Sequence, residues 1–193
     1  MFDRKGLYKQ STKLSEVRNA VNQLLTGAYL VAFLPDYFPR FYFSYSKDWT
    51  LRAPLPQPGS PARTESENIQ FADLELYTPS SWWIGARKDF ESALSRHPDT
   101  PLVSKELYLA TFLATSLVGQ RVAKATVSNK NELTISFEGH AVLTLATDEP
   151  DGCCEQWALR RFAHEPVLAE IAISEDGKPC AVMIDNPLAR RAN

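Results

Sequence analysis

The chain has 193 residues, of which 44% are hydrophobic, and a formal net charge of −2. That length and apolar content suffice to bury a sizeable core and exclude global disorder. Three cysteines, of which Cys153 and Cys154 are neighbours and Cys180 stands apart, exclude the even, spaced framework of a secreted disulfide scaffold.

At the start, "MFDRKGLYKQSTKLSE" has no apolar signal core, and the longest apolar run, "AYLVAFLP", is far short of a bilayer span. A cytoplasmic protein with no membrane association is expected. Over residues 11–25, Leu14, Val17, Val21, Leu24 and Leu25 recur at helical spacing, and Gly27 follows as a C′ residue, which predicts an amphipathic helix. "AYLVAFLP" and "RFYFSYS" then read as two strands of a hairpin joined by "PDYFP". Residues 51–67 hold four prolines and form a long loop. "NIQFADLELYT" is a strand whose pattern shifts by one residue, predicting a bulge near Ala72 and Asp73. On it, Asp73 and Glu75 share a face, as solubilising charges of an edge strand would.

The middle reads as two helices in tandem. The first starts with Ser80 or Ser81 as cap and buries Trp83, Phe90, Ala93 and Leu94; the second starts at Thr100 and Pro101 and buries Val103, Leu107, Phe112, Leu113 and Leu117. From Gly119 onward six short runs separated by turn chemistry predict an antiparallel meander, with Leu133, Ile135 and Phe137 on one face under the helices. Asp176 and Gly177 carry the strongest hairpin signal. The fold class expected is α+β: an N-terminal helix and hairpin, central helices and a C-terminal antiparallel β-meander. One composite domain over residues 1–193 is preferred, with a division into 1–100 and 101–193 as the alternative, because their junction lies in helical rather than linker-like sequence.

The segment "DEPDGCCEQWALRRFAHE" comes nearest to a catalytic constellation. Zinc sites draw ligands from residues two to four apart, whereas adjacent side chains of an extended chain point to opposite faces, so Cys153 and Cys154 do not read as a ligand pair. The surrounding acids raise a thiol pKa and make it less reactive. The stretch is therefore read as a loop entering a strand, with no catalytic residue, metal or cofactor assigned. No phosphate-binding, nucleophile-elbow or zincin motif occurs, and His97, His140 and His164 sit near chain reversals.

Charge is unevenly spread. Residues 132–176 carry two Arg against ten Asp and Glu, which disfavours nucleic acid as a partner and favours a basic protein surface. "DYFPRFYFSYSKDW" interleaves aromatic and basic residues, as single-strand binders do, but a half-buried strand explains it better. Of Trp82 and Trp83, at least one belongs to the core and the other is a candidate partner anchor; Trp82 is taken as that anchor.

"LVGQRVAKATVSNKNELTISFEGHAVLTLATDEP", followed by "EQWAL", places a Leu-x-Gly turn, a hairpin, a Leu-x-Ile-x-Phe strand, a Gly turn and a Glu-x-Trp in order. This pattern, over residues 117–159, resembles small bacterial β modules of the kind found in immunity proteins encoded beside polymorphic or contact-dependent toxins. The resemblance implies a cytoplasmic binding protein that neutralises a toxin domain by covering its active or substrate-binding surface. It carries over no functional residue. With the acidic segment it nominates Glu132, Glu138, Asp148, Glu149, Asp151 and Glu155 as interface acids. The competing readings are a small-molecule enzyme with a pocket between helices and sheet, using Cys154, His164 or Arg161, and a homo-oligomeric structural protein.

Overall fold

The computed structural model describes residues 8–35, 39–46, 72–95, 112–147, 155–162, 167–174 and 177–184. The N-terminal elements are strand β1 (Tyr8–Ser11), helix α1 (Leu14–Leu25) and strands β2 (Tyr29–Leu34) and β3 (Arg40–Ser44). There follow β4 (Leu74–Tyr77), β5 (Trp82–Ile84) and helix α2 (Arg87–Ser95), and residues 112–115 are helical. The remaining strands are β6 (Val122–Val127), β7 (Leu133–Phe137), β8 (Val142–Leu145), β9 (Glu155–Phe162), β10 (Val167–Ser174) and β11 (Pro179–Ile184).

The described strands form two antiparallel sheets, one of seven strands in the order β1-β11-β10-β9-β4-β3-β2 and one of four in the order β5-β8-β7-β6. The class is α+β. Strands from both halves of the chain are neighbours in the larger sheet: β1 pairs with β11, and β4 with β9. Along β4, β7 and β8 alternate residues face inward. Phe41, Leu76, Leu159 and Ile171 lie in register across β3, β4, β9 and β10, and join Leu133, Ile135, Phe137, Leu143 and Leu145 of the smaller sheet in one buried cluster.

Helix α1 closes this core with Val17, Val21, Leu24 and Leu25, all buried at helical spacing. Burying four such side chains contributes roughly 6–12 kcal/mol as an upper bound. The helix ends at Thr26, whose N–H donates to Asn22 O, and Gly27 at φ +88° turns the chain into β2. There the two sheets are stitched together. Gly27 N–H donates to Val122 O, Val122 N–H to Ala28 O, Leu30 N–H to Gln120 O and Gly119 N–H to Leu30 O.

A second tie lies at the other end of β6. The indole Nε1–H of Trp157, fully buried on β9, donates to Asn131 O at 2.9 Å, and Asn131 Nδ2 donates to Gly177 O at 2.8 Å. The β6–β7 turn of one sheet is thereby fastened to the β10–β11 hairpin of the other.

Helix α1, the β2–β3 hairpin and the inward row Leu133, Ile135 and Phe137 agree with the sequence pattern. Four features differ. The tandem-helix reading began at Ser80 or Ser81, but Trp82–Ile84 is a strand: Trp82 and Ile84 lie opposite the buried Leu145 and Leu143 of β8, and Gly85 at φ +77° separates it from α2. Phe112, expected on the buried face of the second helix, is 63% exposed, whereas Leu117 is buried as expected. The six C-terminal runs do not make one meander. They split after β8 into two groups of three, since β9 finds partners in β10 and β4. Accordingly the inward face of β7 is covered by α1 together with the opposite sheet. The proline-rich stretch 51–67 and most of the second expected helix lie outside the described residues.

Candidate functional site: a charged ladder on the outer sheet face

One residue along from the inward row, the larger sheet presents Tyr42, Glu75, Arg160 and Glu170 as Cα partners across β3, β4, β9 and β10. The pleat sends this row to the face opposite the core. Arg160 stands at its middle. Its Nε donates to Glu170 Oε1 at 2.8 Å, its Nη2 lies 3.9 Å from Glu155 Oε2, and its guanidinium carbon sits 5.7 Å from the centre of the Tyr77 ring. Glu75 adds a third carboxylate to its field.

Burial opposes the charge on Arg160, but Glu170, Glu155 and Glu75 outweigh it and hold the guanidinium pKa above its ordinary value. The Glu155 carboxyl pKa is raised as well, here with burial as the first cause; Arg160 lowers it and Glu170 raises it again. The Tyr42 hydroxyl is likewise raised, first by burial and then by the charge of Glu75, with Arg40 opposing. The cluster thus joins Arg40, Tyr42, Glu75, Tyr77, Glu155, Arg160 and Glu170, three carboxylates against two guanidinium groups. Tyrosine and arginine are enriched where proteins bury protein surfaces, because each offers a large apolar body with a directional polar end.

Glu75, expected on an edge strand, is central: β4 lies between β3 and β9. Asp73 is engaged elsewhere, its Oδ2 accepting from Ser44 Oγ at 2.9 Å and Tyr45 N–H at 2.7 Å, which ends β3 rather than serving a site.

The expected interface acids are not gathered into one patch among the described residues. Glu132 precedes β7 and is half-buried, hydrogen-bonded to Ser128, while Glu138 follows β7 at its other end and pairs with Arg121 at 3.0 Å. Glu155 belongs to the other sheet and to the ladder. Asp148, Glu149 and Asp151 lie outside the described residues, as do Cys153, Cys154, His97 and His164. The Trp82 ring packs inward, with centroids 5.3 Å from those of Phe33 and Phe41 and 6.1 Å from that of Phe90. Trp83, opposite Thr144, takes the outer face with the Arg87 guanidinium 4.9 Å from its ring centre.

Arg161 stacks 5.6 Å from the ring centre of Tyr45, whose hydroxyl donates to Leu24 O at 2.9 Å, an arrangement that locks the end of α1 to the sheet. His140 is exposed in the β7–β8 turn at φ +64°, and Cys180 is half-buried on β11. Among the described residues no three His, Cys, Asp or Glu side chains are grouped to hold a metal ion, and no helix is long and apolar enough to cross a membrane.

Glu75, Arg160 and Glu170 escaped the sequence reading as a group. The available signal was charge at mid-strand in otherwise apolar runs, one acid each in "LELY" and "LAEIAI" and the Arg160-Arg161 pair in "WALRRF". The chain matches no family model, and comparisons with curated proteins and with solved structures return no match.

Proposed function

We propose that the chain is a protein-binding module of the toxin-immunity type, acting in the cytoplasm and docking a basic toxin domain on the outer face of its seven-stranded sheet. The observation that carries this reading is the connected cluster of Tyr77, Arg160, Glu75, Glu155 and Glu170 at the middle of that face. A tyrosine and an arginine already held in place bind with little loss of side-chain entropy, and the surplus carboxylate favours a cationic counterpart. The resemblance of residues 117–159 to immunity-type β modules points to the same class of partner. Neutralisation would then follow from coverage of the toxin's surface.

The test compares the tagged chain with its Glu75→Lys/Glu170→Lys variant in pull-downs from native extract at low and moderate salt. The expected result is one stoichiometric basic protein, released as salt rises and recovered at least about tenfold less by the variant, a loss of about 1.4 kcal/mol. Equal recovery by both chains, with the variant folded by circular dichroism, removes the ladder as the docking surface. Recovery of the chain alone removes the binding reading itself.

A further inference from the structure

Strand β9 enters the larger sheet through a bulge. Trp157 lies opposite Ile173 of β10, but Glu155 rather than Gln156 lies opposite Ser174, so two residues of β9 face one of β10. Trp157 belongs to the core, which sends Gln156 to the outer face. The extra residue brings Glu155 to that face as well, where its Oε2 lies 3.9 Å from Arg160 Nη2. Neighbours that a regular strand would divide between its two faces thus stand side by side.

Both are acceptors short of donors. Gln156 is 5% exposed, and its buried side-chain oxygen, Oε1, has no hydrogen-bond partner among the described residues. Such an oxygen loses its hydration without return unless a donor reaches it. Glu155 is half-buried, and at 3.9 Å its contact with Arg160 is an attraction between charges rather than a hydrogen bond, because Arg160 gives its 2.8 Å bond to Glu170. Further along the same face Ala158 and Ala172 are cross-strand partners and carry nothing past Cβ. Arg160 and Glu155 reach toward each other over this pair from its two ends.

We propose that Glu155 and Gln156 form the seat of a primary ammonium group, a lysine side chain of the docked basic partner. The inference rests on the binding reading above and locates one contact within it. An ammonium has three donors and no acceptor, so one compact head serves the carboxylate and the amide oxygen together. The carboxylate supplies the opposite charge, and the amide oxygen supplies the demand for N–H. The flexible lysine stem is narrow enough to cross the two alanines.

The test needs no partner protein. Nα-acetyl-lysine amide and its Nε-trimethyl form carry the same charge, but only the first has N–H donors on its cationic head. Titrated separately into the isotope-labelled chain at low salt, the first should move the Gln156 side-chain amide signal along a saturable curve and bind roughly fivefold more tightly than the second. Gln156→Met keeps the length of the side chain and removes the oxygen. It should bring the two probes to equal affinity and leave the urea midpoint unchanged or higher, since an unbonded buried oxygen is lost without cost. Glu155→Gln should weaken both probes about threefold, by loss of the charge. Equal affinities in the parent, an unmoved Gln156 signal, or a midpoint lowered by Gln156→Met, the mark of an oxygen already bonded within the chain, overturns the seat. A basic protein recovered equally by the parent and by Gln156→Met also overturns it, and leaves the binding reading standing. Lysine-probe binding by a chain that recovers no basic protein overturns the partner as the source of the ammonium.

Discussion

The tie between the sheets at Asn131 makes a quantitative prediction. Asn131 does two things at once: it adopts φ +65°, a left-handed conformation that asparagine tolerates better than most residues, and it donates to Gly177 O at 2.8 Å. Asn131→Gly removes the hydrogen bond but suits the backbone, so it should cost about 1 kcal/mol. Asn131→Ala removes the same bond and sets alanine, which tolerates the left-handed region less well than asparagine, at φ +65°, which adds roughly 1 kcal/mol, for a total of about 2 kcal/mol. Trp157→Phe attacks the tie from the other side. It deprives Asn131 O of its indole donor at 2.9 Å and should cost about 1–3 kcal/mol before any loss of packing. Urea unfolding of the three variants at constant m-value gives the comparison directly. The order expected is Gly milder than Ala by about 1 kcal/mol. Equal losses for Gly and Ala would refute the backbone argument, and losses under about 0.5 kcal/mol for all three would show that the tie does not hold the sheets.

Tyr45→Phe deletes the hydroxyl that caps Leu24 O at the end of α1; since Tyr45 is 40% exposed, the loss should be small, about 0.5–1 kcal/mol, read as a lowered thermal midpoint. Glu170→Gln weakens the closest contact of Arg160, and because both side chains are more than a third exposed it should cost no more than about 1 kcal/mol, less in high salt. Glu155 gives a pH test. Its folded pKa lies above the ordinary 4.5, so the folded chain holds that proton more tightly than the unfolded one, and ionised Glu155 weakens the fold above the raised pKa. Glu155→Gln should therefore be more stable than the parent at neutral pH, with the gap closing as pH falls through the raised value toward 4.5; a gap that widens on acidification contradicts the burial argument.

Local signals carried much of the fold. Val17, Val21, Leu24 and Leu25 announced α1 because a helix facing a core must repeat near 3.6 residues, and Leu133, Ile135 and Phe137 announced β7 by strict alternation. Trp82–Ile84 was misread because three residues are too few to show a period, and the helix that follows supplied one. The division of the C-terminal strands was illegible for another reason. Whether β9 pairs with β8 or with β4 depends on matching Leu76 and Leu74 to Leu159 and Arg161 across a gap of more than seventy residues, and turn chemistry carries no information about such pairs.

The same long-range pairing decides what becomes of the acidic segment. Read linearly, residues 132–176 hold an excess of eight acids, as if they formed one negative surface. In the fold that segment runs out of one sheet and into the other, leaving Glu132 and Glu138 at opposite ends of β7 and bringing Glu155 and Glu170 to Arg160. The third carboxylate near that guanidinium, Glu75, comes from far outside the segment. A charged face built this way depends on the pairing of β4 with β9, so displacing that pair would disperse the cluster even with every charge retained. Glu75→Gln and Leu76→Ala separate the two effects. The first removes a charge on the outer face and should leave stability within about 0.5 kcal/mol, while the second empties a fully buried position beneath it and should cost about 2–5 kcal/mol. If partner affinity falls with the first at unchanged stability, the charge itself makes the contact; if it falls only with the second, what the partner recognises is the shape of the sheet.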